Sequence, residues 1–270
     1  MPRRQLRRPN TPKPDQRAAP PRSWLAAAAL VIVAVAGISV WLAFGLTGGE
    51  DGLPRAVIID QLEFNIPNEN FVLQATGLLE QAGYEVDYFA SDRIDVDFYR
   101  ALPSKGYDFI LFRAHADRLE ATADDGTKFD DVVLFTSEQY DREKYTPDQA
   151  ANRLVIAKYQ PDGEEFFGVA PGFFESARGN FGGATLVVMG CEGFLTERTA
   201  QAFVEDMGAK TYISWNETVS STHTDEATEV LLRHMLIDGK SAPDAVALTM
   251  ADVGPDPIYG SRLKAYPPEG

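Results

Sequence analysis

The feature that most restricts how this chain can fold is an uninterrupted apolar segment near its N-terminus. The 23 residues from Trp24 to Leu46 (WLAAAALVIVAVAGISVWLAFGL) contain no charged side chain. At a rise of about 1.5 Å per residue, a helix of this length spans a hydrocarbon core of roughly 30 Å. Trp24 and Trp41 lie toward its ends, where indole rings favour the membrane interface. We therefore predict one transmembrane helix over residues 24–46.

A cleaved signal peptide is the competing interpretation of this segment. The apolar region of a signal peptide is about 7 to 15 residues long and ends at a small-x-small cleavage site. The segment here is longer, continues to Leu46 without a convincing site of this kind, and is not directly followed by a cysteine that could carry a lipid. A twin-arginine export signal fits less well, because the arginine pairs lie far from the apolar run. An uncleaved anchor is the favoured interpretation.

Charged residues are divided unevenly on the two sides of the apolar segment. Residues 1–23 are rich in proline and hold seven basic side chains against one acid, Asp15, a net charge of +6. Residues 47–270 hold 18 basic and 39 acidic side chains, a net charge of -21, in a chain whose total is -15. The positive-inside bias predicts a cytoplasmic N-terminus and an extracytoplasmic body. A body this acidic repels phosphate backbones, so we expect no nucleic-acid binding.

The same pattern divides the chain into four parts. We expect a basic, Pro-rich cytoplasmic tail over 1–23, the transmembrane helix over 24–46, a linker over 47–54 and one domain over 55–270. A domain of this length can enclose a single core. The content of 44% hydrophobic residues excludes a disordered chain, and the one cysteine excludes a disulfide scaffold.

Short β-branched runs alternate with helical patterns along the body. Strands are predicted at 56–60, 84–90, 107–113, 184–189 and 210–215, with shorter extended segments at 132–135 and 166–169. Helices are predicted at 70–82, 96–102, 149–158, 196–207, 224–237 and 241–251. The acidic stretch over 116–131 is predicted to be turn-rich and solvated, since its spacing matches no calcium loop. Strand–helix alternation of this kind predicts a mostly parallel sheet with helices on both faces.

Two reactive side chains come just after predicted central strands. His115 follows FILFRA, and Cys191 follows VVMG. Residues beyond the carboxyl ends of parallel strands line the crevice where ligands bind. A thiol becomes a useful nucleophile at neutral pH when a base or a cation lies beside it. Gly190 and Gly193 let the backbone bend tightly, so that its amides can face a developing oxyanion.

The order of these motifs resembles that of the caspase-like (clan CD) cysteine peptidases. A hydrophobic strand ends in His, and about 75 residues later another ends in small-Cys-x-Gly. The later segments GAKTYISW, TDEAT and GKSAPDAV are similar to the succession in the bacterial CHAT-type peptidases. The resemblance covers the chain from about Arg55 to Val253. It implies a caspase-like three-layer sandwich, built on a mostly parallel central sheet.

The resemblance also implies roles for individual residues. Cys191 would be the nucleophile, and His115 would protonate the leaving amine. Backbone amides of Ala116, Gly190 and Cys191 would form the oxyanion site. The family usually has glycine where Ala116 stands. Alanine offers the same N–H but does not adopt glycine-only backbone angles, so an inactive descendant is the alternative.

Substrate contacts are predicted at three further residues, Glu192, Trp215 and Asp225. Glu192 would lie near the mouth of the pocket. Asp225 either binds a basic side chain of the substrate or complements the dipole of its helix. Trp215 either walls the substrate cleft or completes the core. Of the two other histidines, His223 would line a pocket or sit in an entry loop, and His234 would be structural.

Two functions from different classes follow from this pattern. The first is a membrane-anchored, extracytoplasmic cysteine endopeptidase that acts on a peptide or protein substrate through a thioester on Cys191. The second is a catalytically inactive module of the same fold that serves in binding or scaffolding. A solute-binding receptor is a weaker third, because such receptors usually have two lobes and a longer chain. No cofactor or metal is expected, since zinc spacing, phosphate-loop and GxSxG patterns are missing from the sequence.

Overall fold

The computed structural model describes residues 52–122 and 128–268. The predicted tail, the predicted transmembrane segment and most of the linker lie outside these residues. Within them, no helix combines the length and the apolar character that crossing a bilayer requires.

Strands and helices alternate through most of the described chain. The strands are β1 (Arg55–Asp60), β2 (Glu85–Ala90), β3 (Phe109–Arg113), β4 (Ala116–Thr122), β5 (Lys128–Gln139), β6 (Leu154–Lys158), β7 (Glu165–Val169), β8 (Thr185–Val188), β9 (Thr211–Trp215) and β10 (Leu263–Tyr266). The helices are α1 (Glu69–Gln81), α2 (Val96–Ala101), α3 (Thr146–Ala150), α4 (Pro171–Glu175), α5 (Glu197–Gln201), α6 (Ser221–Leu232) and α7 (Ala242–Asp252). A single π turn continues each of α5 and α6, over Ala202–Asp206 and Arg233–Ile237.

A six-stranded sheet, the larger sheet, forms the centre of the domain. Its order is β10-β9-β8-β3-β1-β2, and every neighbouring pair is parallel except β9 with β10. The predicted mostly parallel sheet is therefore confirmed. β3 and β8 are direct neighbours in the middle of this sheet, so their carboxyl ends meet at one edge.

Helices cover both faces of the larger sheet. Val57 and Ile59 of β1 point into a core with residues of α2, α4 and α5. Ala56 and Ile58 alternate with them and point into a second core with residues of α1, α6 and α7. This alternation follows from the strand period of two, and strands buried on both faces are continuous apolar runs for the same reason.

A second, smaller sheet follows β3, and the sequence patterns predicted only fragments of it. Its order is β4-β5-β7-β6, with every pair antiparallel. Val132, Leu134 and Phe167 on its inner face join the core on one side of the larger sheet. The stretch over 116–131 was expected to be turn-rich, but it contains β4 and the start of β5.

The predicted helix over 149–158 is wrong. α3 ends at Ala150, and residues 154–158 form β6 instead. Apolar positions in such a short run fit both periods, and its β-branched Val155 and Ile156 favour a strand. β6 pairs closely with β7, because Gly168 has no side chain: a Cβ there would lie 3.2 Å from the side chains of Ala157 and Val155.

Candidate active site

His115 and Cys191 occupy equivalent places beyond two neighbouring strands. Phe112 of β3 pairs with Val188 of β8, and each reactive side chain comes three residues after its member of that pair. The parallel ladder continues one step further, since the Met189 N–H donates to the Phe112 carbonyl at 2.9 Å. The sheet therefore brings the two segments together at its edge, as the sequence predicted for neighbouring strands.

Gly190 lets the two segments touch. A Cβ at this position would lie 2.6 Å from the carbonyl oxygen of Ala114, 2.7 Å from the Cβ of Ala116 and 2.8 Å from its nitrogen. No side chain fits in that space. The residue before Cys191 thus packs directly on the two residues that flank His115.

His115 is half-buried beside aromatic rings. Its imidazole lies 4.7 Å from the ring of Tyr159 and 5.8 Å from that of Phe135, measured between centroids. Burial lowers the pKa of His115 to about 4, and the positive charge of Arg113 adds to the effect. The imidazole is therefore neutral at neutral pH and has a nitrogen that can accept a proton.

The thiol of Cys191 is also half-buried, and it is protonated at neutral pH. Its Sγ lies 3.6 Å from the carbonyl oxygen of Val219. Burial raises the pKa of the thiol, and the carboxylates of Glu192 and Asp117 raise it further. No hydrogen bond joins Cys191 to His115 within the described residues. A neutral thiol and a neutral imidazole therefore stand at the same edge of the sheet.

The amide of Ala116 faces the Cys191 segment. In β4 and β5, Ala116 is opposite Leu134, and the Phe135 N–H donates to the His115 carbonyl at 3.0 Å. In an antiparallel ladder this makes Ala116 and Leu134 a pair without mutual hydrogen bonds, so the Ala116 N–H points away from β5. Ala116 lies in β4, where the backbone is extended. Alanine adopts this conformation freely, so the position does not require the backbone angles that only glycine can take.

The residue after Cys191 has a strained backbone. Glu192 has φ of 57°, a left-handed conformation that costs a non-glycine residue about 1–3 kcal/mol. Its N–H donates to the Glu217 carbonyl at 3.1 Å, and its carboxylate accepts from the Thr218 hydroxyl at 3.3 Å. These bonds hold the turn after Cys191, with the half-buried Glu192 carboxylate near enough to the thiol to raise its pKa.

Asp225 is engaged inside the protein instead of being available to a substrate. Its two carboxylate oxygens accept from Nε and Nη2 of Arg113, at 2.9 and 3.0 Å, and one of them also accepts from Asn68. Arg113 is fully buried and donates to Asp60 at 2.8 Å as well. Asp225 therefore ties α6 to the end of β3, and its environment does not support the expected substrate contact.

Trp215 was predicted either to wall the substrate cleft or to complete the core, and the structure places it in the core. The side chain is fully buried, and its Nε1 donates to the Thr224 hydroxyl at 2.8 Å. His223 is buried against the same indole, and its Nε2 has no hydrogen-bond partner among the residues that the structure describes. His234 lies between the carboxylates of Asp238 and Asp252 at 3.0 and 2.9 Å, in keeping with a structural role.

Three residues near His115 were missed by the sequence patterns: Gln61, Arg113 and Tyr159. Gln61 and Arg113 are polar residues at or just after the ends of apolar strands, which is the same signal that points to His115. Tyr159 carried no such signal, because it lies beyond β6, which was expected to be helical. Among the described residues, no group of three or more His, Cys, Asp or Glu side chains is placed to hold a metal ion.

No protein-family model matches the chain, and no curated protein matches it.

Proposed function

We propose that this chain is a caspase-like cysteine endopeptidase of the CHAT type, anchored to a membrane by residues 24–46 with its domain outside the cytoplasm. The observation that carries the proposal is the equivalent placement of His115 and Cys191, three residues beyond paired positions of neighbouring parallel strands. Their flanking backbones pack together at Gly190, which supports a single site.

The neutral resting state fits a mechanism in which one proton moves from sulfur to nitrogen and then to the substrate. As Sγ of Cys191 attacks a peptide carbonyl, the imidazole of His115 accepts the thiol proton. An imidazolium whose pKa is about 4 readily gives this proton to the leaving amine. The same low pKa makes the neutral imidazole a weak base toward a thiol whose pKa is raised, so its uptake of the thiol proton must be concerted with the attack of sulfur on the carbonyl. The resulting thioester is then hydrolysed by water, which restores the thiol.

Negative charge on the carbonyl oxygen needs hydrogen-bond donors during this reaction. The N–H of Ala116 faces the Cys191 segment and is the donor best supported by the fold. The amides of Gly190 and Cys191 complete the proposed oxyanion site. Preorganised donors of this kind commonly contribute a factor of about 10²–10³ to the rate.

The surroundings of the thiol favour a substrate with a basic side chain. The carboxylates of Glu192 and Asp117 are close enough to Cys191 to raise its pKa. Arginine or lysine next to the scissile bond would meet complementary charge there. Asp225 has no part in this preference, because it is buried and its carboxylate is bonded to Arg113 and Asn68.

Peptide cleavage by the full-length chain in detergent tests the proposal. Fluorogenic peptides that differ only in the residue before the scissile bond are compared for wild type, Cys191→Ala and His115→Ala. We expect cleavage after basic residues, its loss in Cys191→Ala, and a fall of about 10²–10⁴ in His115→Ala. His234→Ala, which alters a histidine away from the site, should keep the wild-type rate. Absence of cleavage across the panel, or cleavage indifferent to Cys191→Ala, overturns the proposal.

A non-catalytic binding or scaffolding module is the second candidate function. It is favoured by one observation: the Cys191 thiol contacts the Val219 carbonyl at 3.6 Å and forms no hydrogen bond with His115. For this function we expect no cleavage of any peptide in the panel and no effect of Cys191→Ser on the capture of a bound peptide. Cleavage that depends on both Cys191 and His115 rules it out.

A further inference from the structure

Gln61 is a buried amide at the same edge of the sheet as His115. It follows β1, the neighbour of β3, and its side chain is 1% exposed. A buried amide needs partners at both of its ends. Its Oε1 accepts from the His115 N–H at 3.0 Å, and its Nε2 donates to the hydroxyl of Tyr159. The two bonds also fix which end of the amide carries the oxygen, because a backbone N–H can only donate.

The Gln61 side chain replaces one backbone hydrogen-bond acceptor of the smaller sheet. His115 and Phe135 stand where an antiparallel pair normally exchanges two hydrogen bonds. One of them is present, from the Phe135 N–H to the His115 carbonyl at 3.0 Å. The His115 N–H turns instead to Gln61, and the Phe135 carbonyl accepts from the buried hydroxyl of Tyr99 at 3.2 Å. Two buried side chains therefore hold His115 away from a regular strand pairing.

The second hydrogen bond of Gln61 holds Tyr159, whose ring packs against the His115 imidazole. The Tyr159 ring lies 4.7 Å from the His115 ring and 5.4 Å from that of Phe135. Because Gln61 binds the Tyr159 hydroxyl, one side chain fixes the His115 backbone and the ring packed against its imidazole. Asn65 also hydrogen-bonds the Tyr159 hydroxyl, so a loss of Gln61 would free the His115 backbone and remove one of the two side-chain bonds that hold the Tyr159 ring.

We propose that Gln61 is a positioning residue that, together with Tyr159, holds His115 in its working place beside Cys191. The catalytic part of this inference rests on the proposed function, whereas the positioning of the imidazole does not. Misplacement of a reacting group by about 1 Å can lower a rate by about 10².

The test compares Gln61→Leu, Tyr159→Phe and the double variant with wild type, all as full-length chains. Gln61→Leu should lower kcat for peptide cleavage by about 10–100-fold and leave KM within about twofold, because a released histidine affects the chemical step. Tyr159→Phe keeps the ring and loses only the hydroxyl, so its effect should be smaller. The double variant should be slower than Gln61→Leu by less than Tyr159→Phe is slower than wild type, because the bond between Gln61 and Tyr159 is already lost and only the bond between Asn65 and Tyr159 remains to be removed.

The titration of His115, followed by NMR of the imidazoles and assigned with His115→Gln, gives a measurement independent of turnover. In Gln61→Leu the pKa should rise from about 4 toward the ordinary value of about 6.5, because the released ring reaches water. Tyr107→Phe is the matched control. It loses one tyrosine hydrogen bond, to Asp87 at 2.7 Å, at the other end of β3, and should leave the titration and kcat unchanged.

The two proposals can fail separately. If wild type cleaves nothing but the His115 titration still moves in Gln61→Leu, the proposed function fails and the positioning stands. If the titration and kcat in Gln61→Leu match those in Tyr107→Phe, the positioning is overturned. If Gln61→Leu does not fold, Tyr159→Phe decides: an unchanged His115 titration overturns the positioning, and a raised pKa supports it.

Discussion

At the scale of single residues, the charge around Cys191 sets how readily its thiol reacts. Burial and the carboxylates of Glu192 and Asp117 all raise the pKa of this thiol. Thiolate is the reactive form, so alkylation by iodoacetamide should be slow at pH 7 and increase steadily through pH 9. Glu192→Gln removes one carboxylate and should speed alkylation at pH 8. Glu217→Gln removes the charge of an exposed neighbour and is the control; equal rates in both variants would contradict this account.

His115 and His234 should respond to pH in opposite directions. The pKa of His115 is about 4 in the folded chain and about 6.5 when unfolded, so the unfolded chain binds more protons between these values. The contribution of His115 to stability is therefore present above about pH 6.5 and is lost as the pH falls toward 4. The pKa of His234 is raised by Asp252 and Asp238, so its contribution is present below about pH 6.5 and is lost as the pH rises.

Urea unfolding at pH 5 and pH 7.5 measures both effects. We expect His115→Phe to lose less unfolding free energy than wild type between pH 7.5 and pH 5. The reason is that the unfolded wild-type chain gains a proton at His115 that the folded chain does not bind, and phenylalanine removes this difference. His234→Ala should lower stability more at pH 5 than at pH 7.5. If both substitutions shift the pH dependence of the unfolding free energy in the same direction, the environments described for His115 and His234 are wrong.

At the scale of elements, the approach of the segments after β3 and β8 depends on a missing Cβ. In Gly190→Ala the new methyl group would meet the backbone of Ala114 and Ala116, and backbone cannot move aside as a side-chain end does. We expect a loss of about 1–3 kcal/mol in the free energy of unfolding, and at least a 100-fold loss of any cleavage.

The control for this prediction is Gly77→Ala in α1. A Cβ at that position meets nothing within 4 Å, and alanine is the better helix former by about 1 kcal/mol. The same chemical change should therefore stabilise the protein there. If Gly190→Ala is as stable and as active as Gly77→Ala, the two segments do not pack as described.

The elements that position the site were predictable, and those that surround it were not. β1, β3, β8 and β9 are continuous apolar runs between turn residues, so a local pattern was enough to find them. The pattern over β6 fits a helix as well as a strand, because a run of four apolar residues before Lys158 satisfies both periods. Tyr159, which packs on His115, lies just beyond β6, so the error in that element hid its role. The contact of Gln61 with Tyr159 joins residues 98 positions apart, and no local pattern reports such a pairing.

At the scale of the whole domain, one buried cation joins β1, β3 and α6. Arg113 is fully buried and bonds to Asp60 and Asp225, which are 53 and 112 positions away in the chain. Removing one partner of a buried ion pair leaves uncompensated charge and costs about 3–5 kcal/mol, whereas replacing the whole set by neutral groups often costs little.

Arg113→Met should therefore lower the free energy of unfolding by about 3–5 kcal/mol. Adding Asp60→Asn and Asp225→Asn to the same chain should restore most of that loss. Denaturant unfolding of the single and triple variants measures both. Equal stabilities of the two variants would mean that lost packing, and not unpaired charge, dominates. Arg55→Met, which removes a partly exposed pair with Asp87, is the control and should cost about 1 kcal/mol or less.

For the whole chain, the distribution of charge predicts one topology. An apolar segment over 24–46 with a +6 tail before it and a -21 body after it predicts a body outside the cytoplasm. We expect the full chain to remain with membranes in high salt and alkaline carbonate, and to leave them only in detergent. Protease added from outside to intact cells should degrade the body and spare a tag at the N-terminus.

Replacing the seven basic residues of the tail with glutamine should weaken this orientation, whereas replacing the same number of basic residues in the body, far from the apolar segment, should not. A chain that salt removes from the membrane, or a body protected in intact cells, would show that the apolar segment is not an anchor with this orientation.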